Sequence, residues 1–318
     1  MGLYHSVLAA THPERSRAPP ISASMGRAPG VTGRRATPGV GEMPLPPVPE
    51  DDELTIEGHW LGPGGRVHQL HGWTTPPVPV AWITDDVRPS AGLTWAGLSL
   101  AAVRTGLQPI LLSGLGGSTR RPWDEGEFGD PEDAAAIDGY DAAETLRECW
   151  GGVEPDDEQF EGESPEWVAE YLEKFKPYGA EFPGLAPAST EREDRRQLEI
   201  ALGQLTPDAR IGLVPAGRPA DALASLGWEG TTNRGWPAAQ VSAVLRSWED
   251  RFGARLLEVG FASIRLLVSR PPRTLEAALP LAAEHQAFCS ECGRRGLTDV
   301  SLIADALVDV PFWDFWWD

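Results

Sequence analysis

The chain has 318 residues, 41% hydrophobic and 23% charged, which is room for two ordinary domains and the composition of a globular protein. Its formal net charge of −20 repels phosphate backbones and anionic lipid, so nucleic-acid and membrane-surface partners are disfavoured, and the charge suits a basic partner, a cation or simply solubility. Three cysteines are too few for a disulfide framework, and no apolar run reaches the ~20 residues of a membrane span; the expected setting is a reducing cytoplasm.

Residues 1–57 read as a tail and an entry segment. Up to residue 42 they are rich in Arg, Pro, Ala, Ser and Gly, with Glu14 and Glu42 the only acids. Such a composition cannot offset its ordering entropy, which predicts disorder and makes Met43 a candidate natural start. A Pro/acid stretch from Pro44 to Glu57 follows.

Residues 58–176 are expected to form a first α/β unit. Val78–Ile83 reads as a strand, Ala96–Thr105 as a helix stopped by Gly106, and Leu107–Leu112 as a second strand. That order predicts a parallel pair joined by a crossover. An acid-dominated stretch runs from Asp124 to Glu170, with Arg147 its only base. Helices are predicted there at Asp141–Trp150 and Pro165–Phe175, the second with Trp167, Tyr171 and Phe175 on one face. Residues 177–205 read as a Pro/Gly linker followed by a charged helix, Glu191–Leu205.

The remaining residues, 206–318, read as a second unit. Arg210–Val214 is a predicted strand and Pro219–Leu226 a short helix. From Pro237 to Phe252, residues Val241, Val244, Leu245, Trp248 and Phe252 recur at helical spacing as one buried stripe, closed by Gly253. A hairpin over Leu256–Val259 and Phe261–Val268 follows, then a helix from Thr274 to Phe288 and another over Ser301–Val308. The terminus, Phe312-Trp-Asp-Phe-Trp-Trp-Asp318, is too aromatic to remain in water and is expected to be an interior strand, with Trp313 and Trp316 buried alongside Trp248. The class implied is α+β: a mixed sheet with helices packed on it, in two units joined by a polar linker.

Several motifs in the second unit carry a resemblance. The stretch Arg210-Ile-Gly-Leu-Val-Pro-Ala-Gly-Arg-Pro-Ala-Asp-Ala-Leu-Ala-Ser-Leu-Gly-Trp228, the segment Leu245–Ala254, Ala282-Ala-Glu-His-Gln-Ala-Phe-Cys289 and the closing Phe315-Trp-Trp-Asp318 resemble the DUF 4253 family, a bacterial, mainly actinobacterial domain of unknown function. The resemblance covers about the last third of the chain and implies no established activity. This chain departs from the family after Cys289, where Ser290-Glu-Cys-Gly-Arg-Arg295 stands.

Candidate sites are few, since no Gly-x-Ser-x-Gly elbow, His-Glu-x-x-His helix or Walker pattern is present. Arg121, Trp123, Asp124 and Glu127 follow a predicted strand, where α/β proteins place their sites. With Glu125, these acids suit a cation or paired-carboxylate chemistry; the competing reading is a turn whose Trp123 plugs the core. Arg218 and Trp228, in the resembling stretch, are further candidate binding residues. His285, Cys289 and Cys292 fall at i, i+4 and i+7, three of the soft ligands a zinc ion would need, or else a helix face packed into the core. The thirteen tryptophans are core, or anchors within an acidic rim. The leading functional expectation is a non-catalytic, immunity-type or regulatory protein that binds a basic partner. The alternative is a metal-binding protein or enzyme using His285 and Cys289, or the loop from Asp124 to Glu127.

Overall fold

Eight strands form one sheet in a computed structural model that describes residues 44–289 and 299–317. In chain order they are β1 (Glu53–Ile56), β2 (His59–His68), β3 (Pro79–Thr84), β4 (Leu107–Leu112), β5 (Arg210–Pro215), β6 (Ala254–Val259), β7 (Ser263–Val268) and β8 (Phe312–Trp316). Their spatial order is β1-β2-β3-β5-β4-β6-β7-β8. Only β4 and β6 pair in parallel; every other neighbouring pair is antiparallel, which makes the sheet mixed, as expected.

The helices are α1 (Ala91–Thr105), α2 (Ala134–Asp138), α3 (Ala142–Glu148), α4 (Pro165–Glu173), α5 (Arg195–Leu205), α6 (Ala222–Leu226), α7 (Ala238–Phe252), α8 (Leu275–Phe288) and α9 (Val300–Leu307). On one face of the sheet, α7 and α8 enclose the larger core, in which Trp248, Phe252, Phe288, Trp313 and Phe315 meet. On the other face, α1 and α5 close a smaller core around Trp82, Trp95 and Leu111. No helix among the described residues is long and apolar enough to cross a membrane.

The stripe on α7 is buried at all five positions, and Gly253 takes the left-handed φ of 63° that ends the helix. Thr274 caps α8 by accepting from Ala277 N. Two expectations give way, and two strands appear where none was assigned. The strands β3 and β4 run parallel but do not pair, because β5 lies antiparallel between them. Residues 53–68 supply two strands despite their Gly/Pro content. Gly64 makes this possible, because a Cβ there would come within 2.4 Å of the Trp82 ring. The segment 177–205 does not separate two cores either. A strand from the C-terminal region completes the N-terminal half of the sheet, and Ala186 is buried and bonded to Glu284 of α8.

The C-terminal strand turns inward, as its aromatic content requires. Trp313, Phe315 and Trp317 are buried, and Trp248 stacks on Phe315 at 5.2 Å. Yet β8 ends the sheet order rather than lying inside it. Trp316 points to the opposite side from its neighbours and is about half exposed, against the expectation of burial. Residues 1–43, with the expected disordered tail and candidate start, lie outside the described residues, as does Cys292.

Candidate functional site

The loop after β4 is spent on its own structure. Trp123 is buried, donates its Nε1–H to Ser113 O at 2.8 Å, and packs on Phe128 with ring centres 5.1 Å apart. Arg121 bonds Glu127 through Nε (2.8 Å) and Nη2 (2.7 Å) and lies over the Phe261 ring. This bond holds the Arg121 guanidinium above its ordinary range. Asp124 pairs with Arg210 at 2.8 Å, and Glu125 with Arg120 at 2.7 Å. Each acid of the loop is thereby matched by an arginine. Arg218 bridges Glu249 (3.3 Å) and Asp250 (2.6 Å), and Trp228 donates to Gly260 O at 2.9 Å from a buried position.

His285 sits deep in the aromatic core. Its ring lies 4.8 Å from those of Trp313 and Phe315 and 5.0 Å from Trp248, and its Nε2 has no hydrogen-bond partner among the described residues. Burial, helped by nearby Arg251, lowers its pKa to about 3, so the imidazole is neutral. The Cys289 sulfur lies 3.1 Å from Trp316 O and is disulfide-bonded, which the cysteine count did not anticipate. Among the described residues no group of three or more His, Cys, Asp or Glu could hold a metal ion.

Beside His285 is a residue that sequence reading passed over. Glu284 is fully buried and accepts four hydrogen bonds: Ala186 N (2.7 Å), Trp248 Nε1 (2.8 Å), and Arg251 Nη1 (2.7 Å) and Nη2 (2.6 Å). A carboxylate so satisfied is a structural clamp. Its only sequence signal was an acid in the midst of an apolar helix. A cavity of about 240 Å³ lies over β7 and β8, lined in part by Glu258, Ser263, Arg265 and Trp316. Its buried Arg265 is held by Asp314 at 2.6 Å.

The acid-dominated stretch is built differently. Ser164 caps α4 by accepting from Trp167 N at 3.2 Å, with Pro165 in the first turn. The four-residue spacing then stacks Trp167 on Tyr171 (5.6 Å), sets Tyr171 tilted against Phe175 (5.4 Å), and leaves Phe175 edge-on to Trp150 (5.0 Å). Phe175 and Trp150 belong to the main core, whereas Trp167 is 45% exposed. The Tyr171 hydroxyl donates to Gly151 O at 3.0 Å, and burial raises its pKa. Every Asp and Glu from Glu154 to Glu173 is exposed. Among the described residues, Glu173 is the only one of these acids with an ion-pair partner, Lys176 at 2.6 Å. Lys174 Nζ lies 5.6 Å from the centre of the Tyr171 ring, so this ladder already attracts a cation.

A second aromatic, Trp73, is 94% exposed on a loop held by Asp130, which accepts from Trp73 N (2.8 Å) and Thr74 N (2.9 Å). Bonds from Thr74, Trp73 and Gln69 lower the Asp130 pKa to about 2. Sequence reading did not single out this loop, whose anchor lies far along the chain.

Comparison with curated proteins and with solved structures finds no match. The aromatic ladder, Trp73 and α1 all precede a segment that a family model recognises. From β5 through β8, residues 210–318 match the family described as a domain of unknown function, DUF4253, over the C-terminal third of the chain.

Proposed function

We propose that this chain is a non-catalytic, acidic protein-interaction module of an immunity or regulatory kind, binding a basic partner protein in the cytoplasm. A disulfide at Cys289 would be open to reduction there. The observation that carries the reading is the aromatic ladder of α4. Its exposed Trp167 is rooted in the core through Tyr171 and Phe175 and lies in a stretch of exposed carboxylates, of which only Glu173 has an ion-pair partner among the described residues. An anchored aromatic loses little freedom on binding, and the surrounding charge steers and selects a basic surface. The sequence-level candidates Arg121, Asp124, Glu127 and Arg218 are neutralised internally, which leaves α4 as the better surface.

The test is capture from an extract of the native host, at low and at raised salt. Wild type is compared with a variant carrying Trp167→Ala, Glu163→Gln, Glu166→Gln and Glu170→Gln. A basic protein retained by wild type at low salt, and lost both at high salt and by the variant, supports the reading. Capture indifferent to salt and to these four substitutions contradicts it.

A further inference from the structure

On the smaller-core face of the sheet, Leu267 of β7 lies opposite Phe312 of β8. Further along the two strands the same face carries Arg265 opposite Asp314, and then Ser263 opposite Trp316. A bulge brings a third strand into this row. Leu256 pairs with Leu266, so an unbroken ladder would set Leu257 opposite Arg265; the register shift sets Glu258 there instead. Glu258, Arg265 and Asp314 therefore stand side by side across β6, β7 and β8. With Ser263 and Trp316 they line the cavity of about 240 Å³.

The row is incompletely bonded. Arg265 is only 8% exposed, and its Nε donates to Asp314 Oδ1 at 2.6 Å. Its Nη1 lies 3.8 Å from Glu258 Oε2, an ion pair too long for a hydrogen bond. Among the described residues, neither the Nη groups of Arg265 nor the Glu258 carboxylate makes a hydrogen bond. A guanidinium carries five N–H donors, and leaving most of them without acceptors in a nearly buried place is unfavourable.

We propose that this cavity binds a free α-amino acid with an apolar side chain. The two unfilled groups select it. A simple anion would meet two carboxylates for one guanidinium, and a simple cation would leave the Arg265 N–H edge without an acceptor. A zwitterion satisfies both. Its carboxylate accepts from the Nη groups, and its ammonium donates to Glu258. In an α-amino acid those two charges are one carbon apart, which suits partners separated by 3.8 Å. The half-exposed indole of Trp316 gives an apolar side chain a wall to pack on. The volume lies below the ~300 Å³ at which sites for drug-sized ligands begin, so the ligand is small. This proposal is independent of the partner-binding reading, which concerns α4.

Thermal melting of the full chain with each common amino acid in turn finds the ligand, because binding to the fold raises the melting point. Calorimetric titration then measures its affinity for wild type, Glu258→Gln and Trp316→Ala. The amino acid is titrated beside its amine and acid analogues; for leucine these are isoamylamine and isocaproate. Glu258→Gln keeps the shape of the side chain and Trp316 is about half exposed, so both variants are expected to fold, which circular dichroism checks. The expected result is saturable binding of an apolar amino acid, one per chain, weakened roughly tenfold or more in each variant and in each analogue. No apolar amino acid bound by wild type at millimolar concentration overturns the proposal. So does binding that tolerates either substitution, or an analogue that binds as tightly as the amino acid.

Discussion

Arg251 and Glu284 meet through two parallel bonds, Nη1 to Oε1 at 2.7 Å and Nη2 to Oε2 at 2.6 Å, with the carboxylate fully buried. The pair ties α7 to α8. Through the bond from Ala186 N, it also ties the segment before β5 to both helices. Removing one member strands the other without its counter-charge. Glu284→Gln is expected to cost about 3–5 kcal/mol of stability, read as a lowered denaturant midpoint. A cost under about 1 kcal/mol would show that the clamp is not structural.

Trp248 donates to the same carboxylate at 2.8 Å. Trp248→Phe keeps an aromatic ring in the stack but removes the N–H. The loss is expected to be about 1–3 kcal/mol, through the lost bond and the smaller ring. In the double variant with Glu284→Gln the two losses should add to less than their sum, because they share one network. Strict additivity would argue that they act separately.

His285 offers a pH signature. Its pKa of about 3 in the fold lies below the ordinary 6.5, so the unfolded chain takes up this proton first as acid is added. Its contribution to stability is complete above about pH 6.5 and is lost as pH falls from there toward 3. His285→Phe removes the titrating group while keeping the aromatic packing. The variant's stability should therefore fall less steeply than wild type over that window, as measured by urea unfolding at a series of pH values. Identical slopes would contradict the assignment.

Asp130 acts with the same sign in a more acidic window. Its pKa of about 2 lies below the ordinary 3.8, so its hold on the loop bearing Trp73 is complete above about pH 3.8 and weakens as pH falls through 2. Asp130→Ala is expected to speed hydrogen exchange at Trp73 and Thr74, whose amides it accepts, with little change in the core strands. Unchanged exchange at those two amides would show that the loop is fixed by other means.

Much of this arrangement was legible along the chain wherever spacing alone decided the outcome. The stripe on α7 and the Trp167-Tyr171-Phe175 ladder are local patterns, and both formed as read. Strand pairing is non-local. Nothing within residues 78–112 signals that β5, about a hundred residues later, will enter between β3 and β4. The strand β2 was not assigned from the sequence, because the space that Gly64 leaves for the Trp82 ring is a contact between strands. The loop from Arg121 to Glu127 looked like a site because its acids are close in sequence; Arg210, which neutralises Asp124, is not. Glu284 escaped for the same reason, since its partners on α7 and at Ala186 are remote in sequence.

The direct measurement of the partner-binding account is the affinity of the captured basic protein for wild type and for Trp167→Ala, each over a range of ionic strength. The account predicts that wild-type affinity falls steadily with salt and that Trp167→Ala binds at least tenfold more weakly at low salt, a loss of about 1.4 kcal/mol. Equal affinities for the two proteins, or binding unaffected by salt, would contradict it.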